Sequence, residues 1–410
     1  MIWKKRYGGG AKEKYFVSLH EYVLVYCKNL RLLNEIFIPL TDESIQRYYS
    51  KRDDKFFERG GYRTHPLEAG KAMDSRPNLV YAIKAPDGSD IYPRRQWLWS
   101  KERALEAIAN NEIEFTKGKD GKWVVSSKQY LKDENGDIRQ AKMLSIIEDV
   151  YTQHGTNEIT DIIGSAKIFQ YPKPSEFVKI LLSAISENPY DIVLDFFSGS
   201  ATTAHAVMQL NAEDGGKRKF IMVQLPELTD EKSDAYKAGY KNICEIGKER
   251  IRRAGDKIKA EAGDKAKDLD IGFKVFKLDS SNLQKWNPQP ENIVENIQLF
   301  ADNFLPDRSE QDVLYEIILK MGLDLSCPIE EVETAGETIY IIGDGALMIC
   351  LGEDITTAVA DQMVKLHQEY DSELWQVVFR DTGFGSDMDK TNIKEILKSA
   401  GLAEDSFVCV

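Results

Sequence analysis

Nine consecutive residues, Asp195-Phe196-Phe197-Ser198-Gly199-Ser200-Ala201-Thr202-Thr203, have types and spacing suited to holding a cofactor. Ile192, Val193 and Leu194 before them form a continuous apolar run, as in a strand covered on both faces. Asp195 ends that run, and Ser198-Gly199-Ser200 makes a tight turn of small residues. Ala201 to Leu210 reads as a helix, with Thr202 and Thr203 in its first turn and Ser200 as its cap. A strand that turns through Gly into a helix N-terminus can seat a nucleotide-like cofactor. The loop backbone approaches the ligand closely, and the orphan N–H groups face it. Such a junction alone is weak evidence, because most α/β proteins contain several. The spacing is neither G-x-G-x-x-G nor G-x-x-x-x-G-K-[ST], which disfavours a dinucleotide site and a nucleoside-triphosphate loop.

The elements that must position this loop lie on both sides of it. Tyr171-Pro172-Lys173-Pro174 is extended, because Pro restricts itself and its predecessor. Ser175 then caps a helix whose apolar face includes Phe177, Ile180, Leu181 and Ala184. Lys219 to Gln224 reads as a second strand, ending at Leu225-Pro226-Glu227. An acidic residue after the next parallel strand can accept both ribose hydroxyls, and Glu227 is the candidate. Tyr240 to Ala260 reads as an amphipathic helix and Gly272 to Leu278 as a further strand, with Trp286-Asn287-Pro288 closing the segment. His205 reads as a packed helix residue rather than a catalyst.

Upstream, Gly8-Gly9-Gly10 is a loop, and Phe16 to Tyr26 is β-rich and reads as a strand. Within it, His20-Glu21 is assigned a structural role. Residues 41–100 are basic and aromatic together, and Arg52, Arg59, Tyr62, Arg63, Arg76, Arg94 and Arg95 are candidate DNA contacts. Arg pairs with phosphate or forks onto guanine, and aromatic faces stack on an extruded base. The competing reading is a solvated loop region. Ser100 to Asn110 then reads as an amphipathic helix, followed by a strand pair around Phe115 and Trp123 to Val125, turned at Asp120-Gly121.

Charge is distributed unevenly over the 410 residues, whose net value is −13. Residues 1–120 carry 22 basic and 17 acidic side chains, whereas residues 287–410 carry 7 and 25. Only the first third has an electrostatic reason to meet phosphates, and the acidic end faces solvent or a protein partner. The five cysteines (Cys27, Cys244, Cys327, Cys350, Cys409) include no C-x-x-C pair. They disfavour zinc and a disulfide framework and fit a reducing cytoplasm. No apolar run approaches the ~20 residues of a membrane span, and no signal peptide opens the chain.

The string D-F-F-S-G-S-A-T-T-A-H-A-V at Asp195 to Val207 resembles the S-adenosylmethionine motif of amino-methylating DNA methyltransferases, with Ala201 in place of a usual Gly. The resemblance extends along the chain. Ile2-Trp3 and Phe16 to Tyr26 resemble the terminal hairpin of the methyltransferase sheet in type III restriction-modification subunits. Lys173-Pro174 matches an element that lies beside the cofactor in that family, although Lys173 also reads as an ordinary exposed lysine. Val377 to Phe384 and Lys390 to Lys398 resemble the subunits' C-terminal part.

The resemblance implies an α/β fold: a partial, Rossmann-like S-adenosylmethionine-dependent methyltransferase sheet with an inserted DNA target-recognition region and a small C-terminal α+β domain. The implied segments are 1–40 (terminal hairpin), 41–154 (recognition region), 155–288 (cofactor-binding half) and 289–410 (acidic α+β domain). The last contains helices over Asp312 to Met321, Thr356 to Tyr370 and Lys390 to Ala400. It also contains a hairpin turned at Gly343-Asp344-Gly345 and a strand over Trp375 to Phe379.

The implied activity is site-specific adenine-N6 methylation of double-stranded DNA, with S-adenosylmethionine as donor. The implied partners are a second copy and a restriction subunit, in the cytoplasm. The implied donor-binding residues are Lys173, Pro174, Asp195, Phe196, Phe197, Ser198, Gly199, Ser200, Thr202, Thr203 and Glu227. In that chemistry an exocyclic amine attacks the sulfonium methyl in line, so positioning dominates. The family's [D/N/S]-P-P-[Y/F/W] tetrapeptide, which holds the flipped base, does not occur here, so no catalytic residue is assigned. Asn188-Pro189-Tyr190 is a structural turn, not that motif. The expectation is therefore a chain lacking an N-terminal catalytic segment, inactive alone, with open strand edges and uncovered apolar faces. A separate N-terminal fragment would complete it. The alternatives are a non-catalytic DNA-binding or assembly remnant, half of a split methyltransferase, or a small-molecule methyltransferase. The last leaves the basic-aromatic region unexplained.

Overall fold

A computed structural model describes residues 1–8, 14–70, 74–186, 188–263, 267–284 and 304–410. Gly9-Gly10 and Trp286-Asn287-Pro288, and with them the expected boundary at 288/289, lie outside the described residues. The chain divides into two units, Met1–Gly272 and Phe273–Val410, each a mixture of helices and small sheets.

In the first unit, β1 (Ile2–Lys4) pairs antiparallel with β2 (His20–Tyr22) and parallel with the short strand Ile146–Ile147. The apolar Trp3 is 1% exposed. Its indole stacks 4.2 Å from the Phe177 ring and donates to Val150 O at 2.6 Å, anchoring the hairpin. The strand expected over Phe16–Tyr26 shrinks to three residues. Only β1 lies beside it among the described residues, and a strand without a partner ladder is not held.

β3 (Phe37–Pro39) pairs with Gln140–Lys142. Helices α1 (Asp42–Tyr48) and α2 (Phe56–Arg59) follow, then β4 (Tyr62–Pro66) and the hairpin of β5 (Ile83–Lys84) with β6 (Asp90–Ile91). Helix α3 (Lys101–Ala109) is capped by Ser100, whose hydroxyl accepts from Arg103 N–H. β7 (Ile113–Lys117) and β8 (Trp123–Tyr130) form the expected pair, which β4 joins in the order β4-β8-β7. Leu67, Ile83, Trp97, Ala104, Ala107, Ile113 and Val125 make the core of this region. The strand opposite β3 is β9 (Gln140–Lys142), and β10 (Ile146–Ile147) returns the chain to β1.

Next come α4 (Thr152–Ile163), α5 (Ser175–Ile185), β11 (Ile192–Asp195), α6 (Thr202–Asp214), β12 (Lys219–Met222), α7 (Asp234–Lys237) and α8 (Ile243–Ala262). β11 and β12 are parallel, with Ile192 opposite Lys219 and Asp195 opposite Met222. Val193 and Phe220 pack on Leu182, Ala206, Val207 and Leu210 of α5 and α6. Among the described residues the other face is bare: Ile192 is 62% and Leu194 57% exposed, with Ile221 and Val223 exposed beside them. The apolar run is thus covered on one face, not both.

Two caps differ from expectation. Ala201 rather than Ser200 precedes α6, in the left-handed region at φ 58°, and Pro174 rather than Ser175 precedes α5. Residues 272–278 form no strand.

The second unit is a five-stranded sheet: β13 (Ile329–Thr334), β14 (Glu337–Ile342), β15 (Leu347–Cys350), β16 (Gln376–Phe379) and β17 (Phe407–Cys409), in that spatial order. Helix α9 (Glu310–Lys320) packs on one face against Tyr340, Ile342, Leu347, Ile349 and Val378. Helices α10 (Thr357–Tyr370) and α11 (Asp387–Ser399) cover Ile339, Ile341, Met348, Val377 and Phe379 on the other. The hairpin at 343–345, the strand near Trp375 and the three helices fall where the sequence placed them. β13 went unread because Glu330, Glu331 and Glu333 mask its alternation.

Among the described residues, no helix is long and apolar enough to cross a membrane, and no group of three His, Cys, Asp or Glu side chains is placed to hold a metal.

Candidate cofactor site

The loop leaving β11 is shaped by Asp195. One of its carboxylate oxygens accepts from Phe197 N–H at 3.1 Å and the other from the Thr203 hydroxyl at 2.6 Å. The turn is thereby tied to the first turn of α6. Ser198 N–H donates to Val223 O at 3.2 Å, and Gly199 N–H donates to Gln224 Oε1 at 2.7 Å. The second strand therefore grips the glycine turn through Gln224, a residue the sequence reading did not single out. Gly199 sits at φ 51°, and an added β-carbon would lie 3.2 Å from the Phe169 ring. Phe196 and Phe197 stand exposed at the carboxyl end of the strand pair. This is the end at which open α/β sheets take ligands.

Lys173 and Pro174 are brought to the same loop. The Thr202 hydroxyl donates to Lys173 O at 3.2 Å, and buried Pro174 leads into α5. The Lys173 ammonium turns toward the hairpin, 2.5 Å from a Glu21 oxygen and 4.9 Å from the centre of the Trp3 ring. Partial burial works to raise the Glu21 carboxyl, but hydrogen bonds from Lys173 and then Lys5 outweigh it and hold the group below its usual value. Glu227 is exposed beyond β12. Its carbonyl accepts from Ile243 N–H at 3.0 Å and so fixes the start of α8.

Beneath the loop lies a buried polar cluster that the sequence reading missed. Arg250 of α8, 0% exposed, donates through Nη1 to Ser200 Oγ at 2.9 Å and Thr202 Oγ1 at 2.7 Å. Its Nη2 donates to Glu158 Oε2 of α4 at 3.0 Å. Glu158 in turn accepts from Ser175 N–H at 3.0 and 3.1 Å and from Ser175 Oγ at 2.9 Å. Burial lowers the Arg250 pKa to about 10 against the pull of Glu158. His205 Nδ1 lies 3.4 Å from Arg250 Nη2. Burial, followed by the Arg250 charge, pushes His205 down to about 3, so this imidazole is neutral. His205 is thus a packed helix residue, as its position suggested.

Asn188-Pro189-Tyr190 forms a turn: Asn188 Oδ1 accepts from Tyr190 N–H at 3.0 Å, and Pro189 O accepts from Lys217 N–H at 2.7 Å.

The basic-aromatic residues fall into two groups. Tyr62 is buried, and its hydroxyl donates to Glu114 Oε2 at 2.8 Å. Arg59 lies 4.7 Å from the centre of the Tyr130 ring and pairs with Glu112 at 3.6 Å. Arg63 donates to Gln129 Oε1 at 2.6 Å. These three serve the sheet of β4, β7 and β8. Arg52, Arg76, Arg94 and Arg95 are exposed. Arg94 and Arg95 line a cavity of about 260 Å³ with Gly70, Ser75 and Gln96, and Arg76 N–H donates to Gln96 Oε1 at 2.7 Å beside it.

The class of protein comes from sequence comparison. The chain belongs to the DNA methylase family of N6/N4 type, whose sequence model matches residues 1–254. That span includes the site from Glu158 to Arg250. Among individual proteins, the chain is 35% identical over 269 residues to the StyLTI Mod subunit of a type III restriction-modification enzyme from Salmonella typhimurium. That match covers 64% of this chain and 38% of that protein. It is 26% identical over 410 residues to the EcoPI Mod subunit of Escherichia phage P1, covering 94% and 61%. It is 31% identical over 280 residues to the type II methyltransferase M.KpnI of Klebsiella pneumoniae, covering 62% of each. The chain spans less than two thirds of the length of these relatives.

Proposed function

We propose that this chain is a portion of a type III modification subunit that methylates adenine N6 at a specific site in double-stranded DNA. The observation that carries the reading is the donor-type loop Asp195–Thr203, held by Gln224 and Arg250 within the stretch that matches the family. The residues present fit an S-adenosylmethionine-type donor. Exposed Phe196 and Phe197 offer apolar faces at the carboxyl ends of a Rossmann-like strand pair, beside a helix N-terminus. Bound there, S-adenosylmethionine would supply a sulfonium methyl group to the target amine. Glu227 would accept from the ribose hydroxyls, and Lys173-Pro174 would border the donor.

The region 41–154 reads as an inserted recognition module. Exposed Arg52, Arg76, Arg94 and Arg95 would meet DNA, while Arg59, Tyr62 and Arg63 hold the module's sheet. A [D/N/S]-P-P-[Y/F/W] tetrapeptide is absent from these 410 residues. The base-holding groups would come from an N-terminal methyltransferase segment whose strands cover the bare face of β11 and β12. The acidic end would serve contacts with a second copy and a restriction subunit in the cytoplasm.

The test is transfer of a labelled methyl group from S-adenosylmethionine to unmethylated DNA by the purified chain. The expected result is no transfer alone and transfer once the N-terminal segment is added. Robust transfer by the chain alone would contradict the missing-segment reading. Retained DNA binding without donor binding would favour a non-enzymatic role.

A further inference from the structure

We infer that Arg250 and Glu158 are positioning residues, forming a latch, buried at its Arg250 end, that couples the Lys173–Ser175 segment to the Ser198–Thr203 loop so that both halves of the donor site are held as one unit. This rests on the donor-site reading given above.

The bonds close into a ring. Thr202 Oγ1 accepts from Arg250 Nη1 and donates to Lys173 O. Arg250 Nη2 reaches Glu158. Glu158 takes the N–H and hydroxyl of Ser175, which the single residue Pro174 separates from Lys173. A hydroxyl has one proton to give. With Arg250 donating to Thr202 Oγ1, that proton is directed at the Lys173 carbonyl. Each charged partner grips a different segment, and the ion pair is the link between them.

One further feature shows that the ring is built into the packing. Gly155 precedes Glu158 by one turn of α4, and a β-carbon there would lie 2.4 Å from Pro172 O. The 172–174 segment can therefore lie on the helix only because residue 155 is glycine. Gly247 precedes Arg250 by one turn of α8 and faces Gly199 O, where a β-carbon would make only ordinary contact at 3.4 Å. Both helices thus present a glycine and then, three residues on, a charge to one half of the site. A guanidinium at 0% exposure is a costly way to fill space. Apolar side chains would pack as well, but they cannot direct two hydroxyls and a carboxylate.

The test compares Arg250→Met, Arg250→Lys and Glu158→Gln in the full chain by backbone hydrogen exchange without ligand. Lys lacks the planar fork and cannot hold both partners, so Arg250→Lys tests the latch even if Arg250→Met fails to fold. In Arg250→Lys, protection is expected to fall by about tenfold or more at the amides of Ser198, Gly199 and Ala201 and, together with them, at Ser175. The second unit should be unchanged. Loss confined to the Ser198–Thr203 loop, or no loss, would overturn the latch. Titration with S-adenosylmethionine supplies the second readout. Affinity about tenfold weaker in Arg250→Lys, with DNA affinity unchanged, is the expected result. Unchanged donor affinity despite coupled exchange would overturn the positioning role. If the wild-type chain shows coupled exchange and binds no donor, the latch stands and the donor-site reading fails.

Discussion

The strands Leu347–Cys350 and Gln376–Phe379 of the second unit have a neighbour on each side and helices over both faces. The strands Ile192–Asp195 and Lys219–Met222 of the first unit have, among the described residues, only each other and one covered face. Both pairs are parallel and both are apolar. The difference lies in what is supplied around them. In the second unit every apolar side chain of the central strands finds a partner within the unit. In the strands that lead to the Asp195–Thr203 loop, Ile192, Leu194, Ile221 and Val223 stay about half exposed or more among the described residues. Full burial of each would contribute about 1.5–3 kcal/mol. The loop that follows these strands is tied instead by polar bonds from Asp195, Gln224 and Arg250.

The largest expected effect breaks this comparison directly. Val378→Asp puts a carboxylate where exposure is 0% among apolar side chains, and should cost more than ~4 kcal/mol, unfolding the second unit. Leu194→Asp, on the bare face, should change the melting of the chain by less than ~1 kcal/mol. It should also abolish the methyl transfer restored by an added N-terminal segment. Calorimetry of the two variants checks the first contrast, and equal destabilisation would refute it.

Gly155→Leu comes next. Its β-carbon would meet Pro172 O at 2.4 Å, so the first unit should lose about 1–3 kcal/mol, read from its thermal transition.

The two units should also answer acid differently. His205 has a folded pKa of about 3, below the usual 6.5. The unfolded chain binds the proton first, so its contribution is full above pH 6.5 and is lost as pH falls toward 3. His205→Gln should flatten the first unit's stability between pH 7 and pH 5. Glu316, at about 2, feels burial that raises its pKa and hydrogen bonds from Lys320, Ser281 and Asn282 that outweigh it. Its contribution is full above about 4.5 and is lost as pH falls toward 2. Glu316→Gln should flatten the second unit's acid limb in urea titrations at pH 5 and pH 3.

The smallest effect belongs to Ala201. A left-handed alanine costs roughly 1 kcal/mol, and glycine loses about as much in chain entropy. Ala201→Gly should therefore melt within a few degrees of the parent despite relieving the φ of 58°.

The same contrast explains what was legible beforehand. In the second unit, period and turn chemistry located the hairpin at Gly343-Asp344-Gly345 and three helices, because local pattern and packing agree there. In the first, the Ile-Val-Leu run announced a strand but also cover on both faces, and among the described residues one face is open. The Phe16–Tyr26 run carried β propensity with only three paired residues. The loop was legible through its small residues and its acid. The latch was not, because Arg250 sits among the cations of an amphipathic helix that all look solvated. Glu158 likewise sits 92 positions away from its partner. The one available signal was the glycine three residues before each of them.

The central claim is that the donor binds over Asp195–Thr203. Ultraviolet crosslinking of labelled S-adenosylmethionine to the 410-residue chain, followed by peptide mapping, tests it most directly. The account predicts label in the peptide containing Phe196 and Phe197, lost on competition with unlabelled donor. Specific label confined to the recognition region or to the second unit would contradict it.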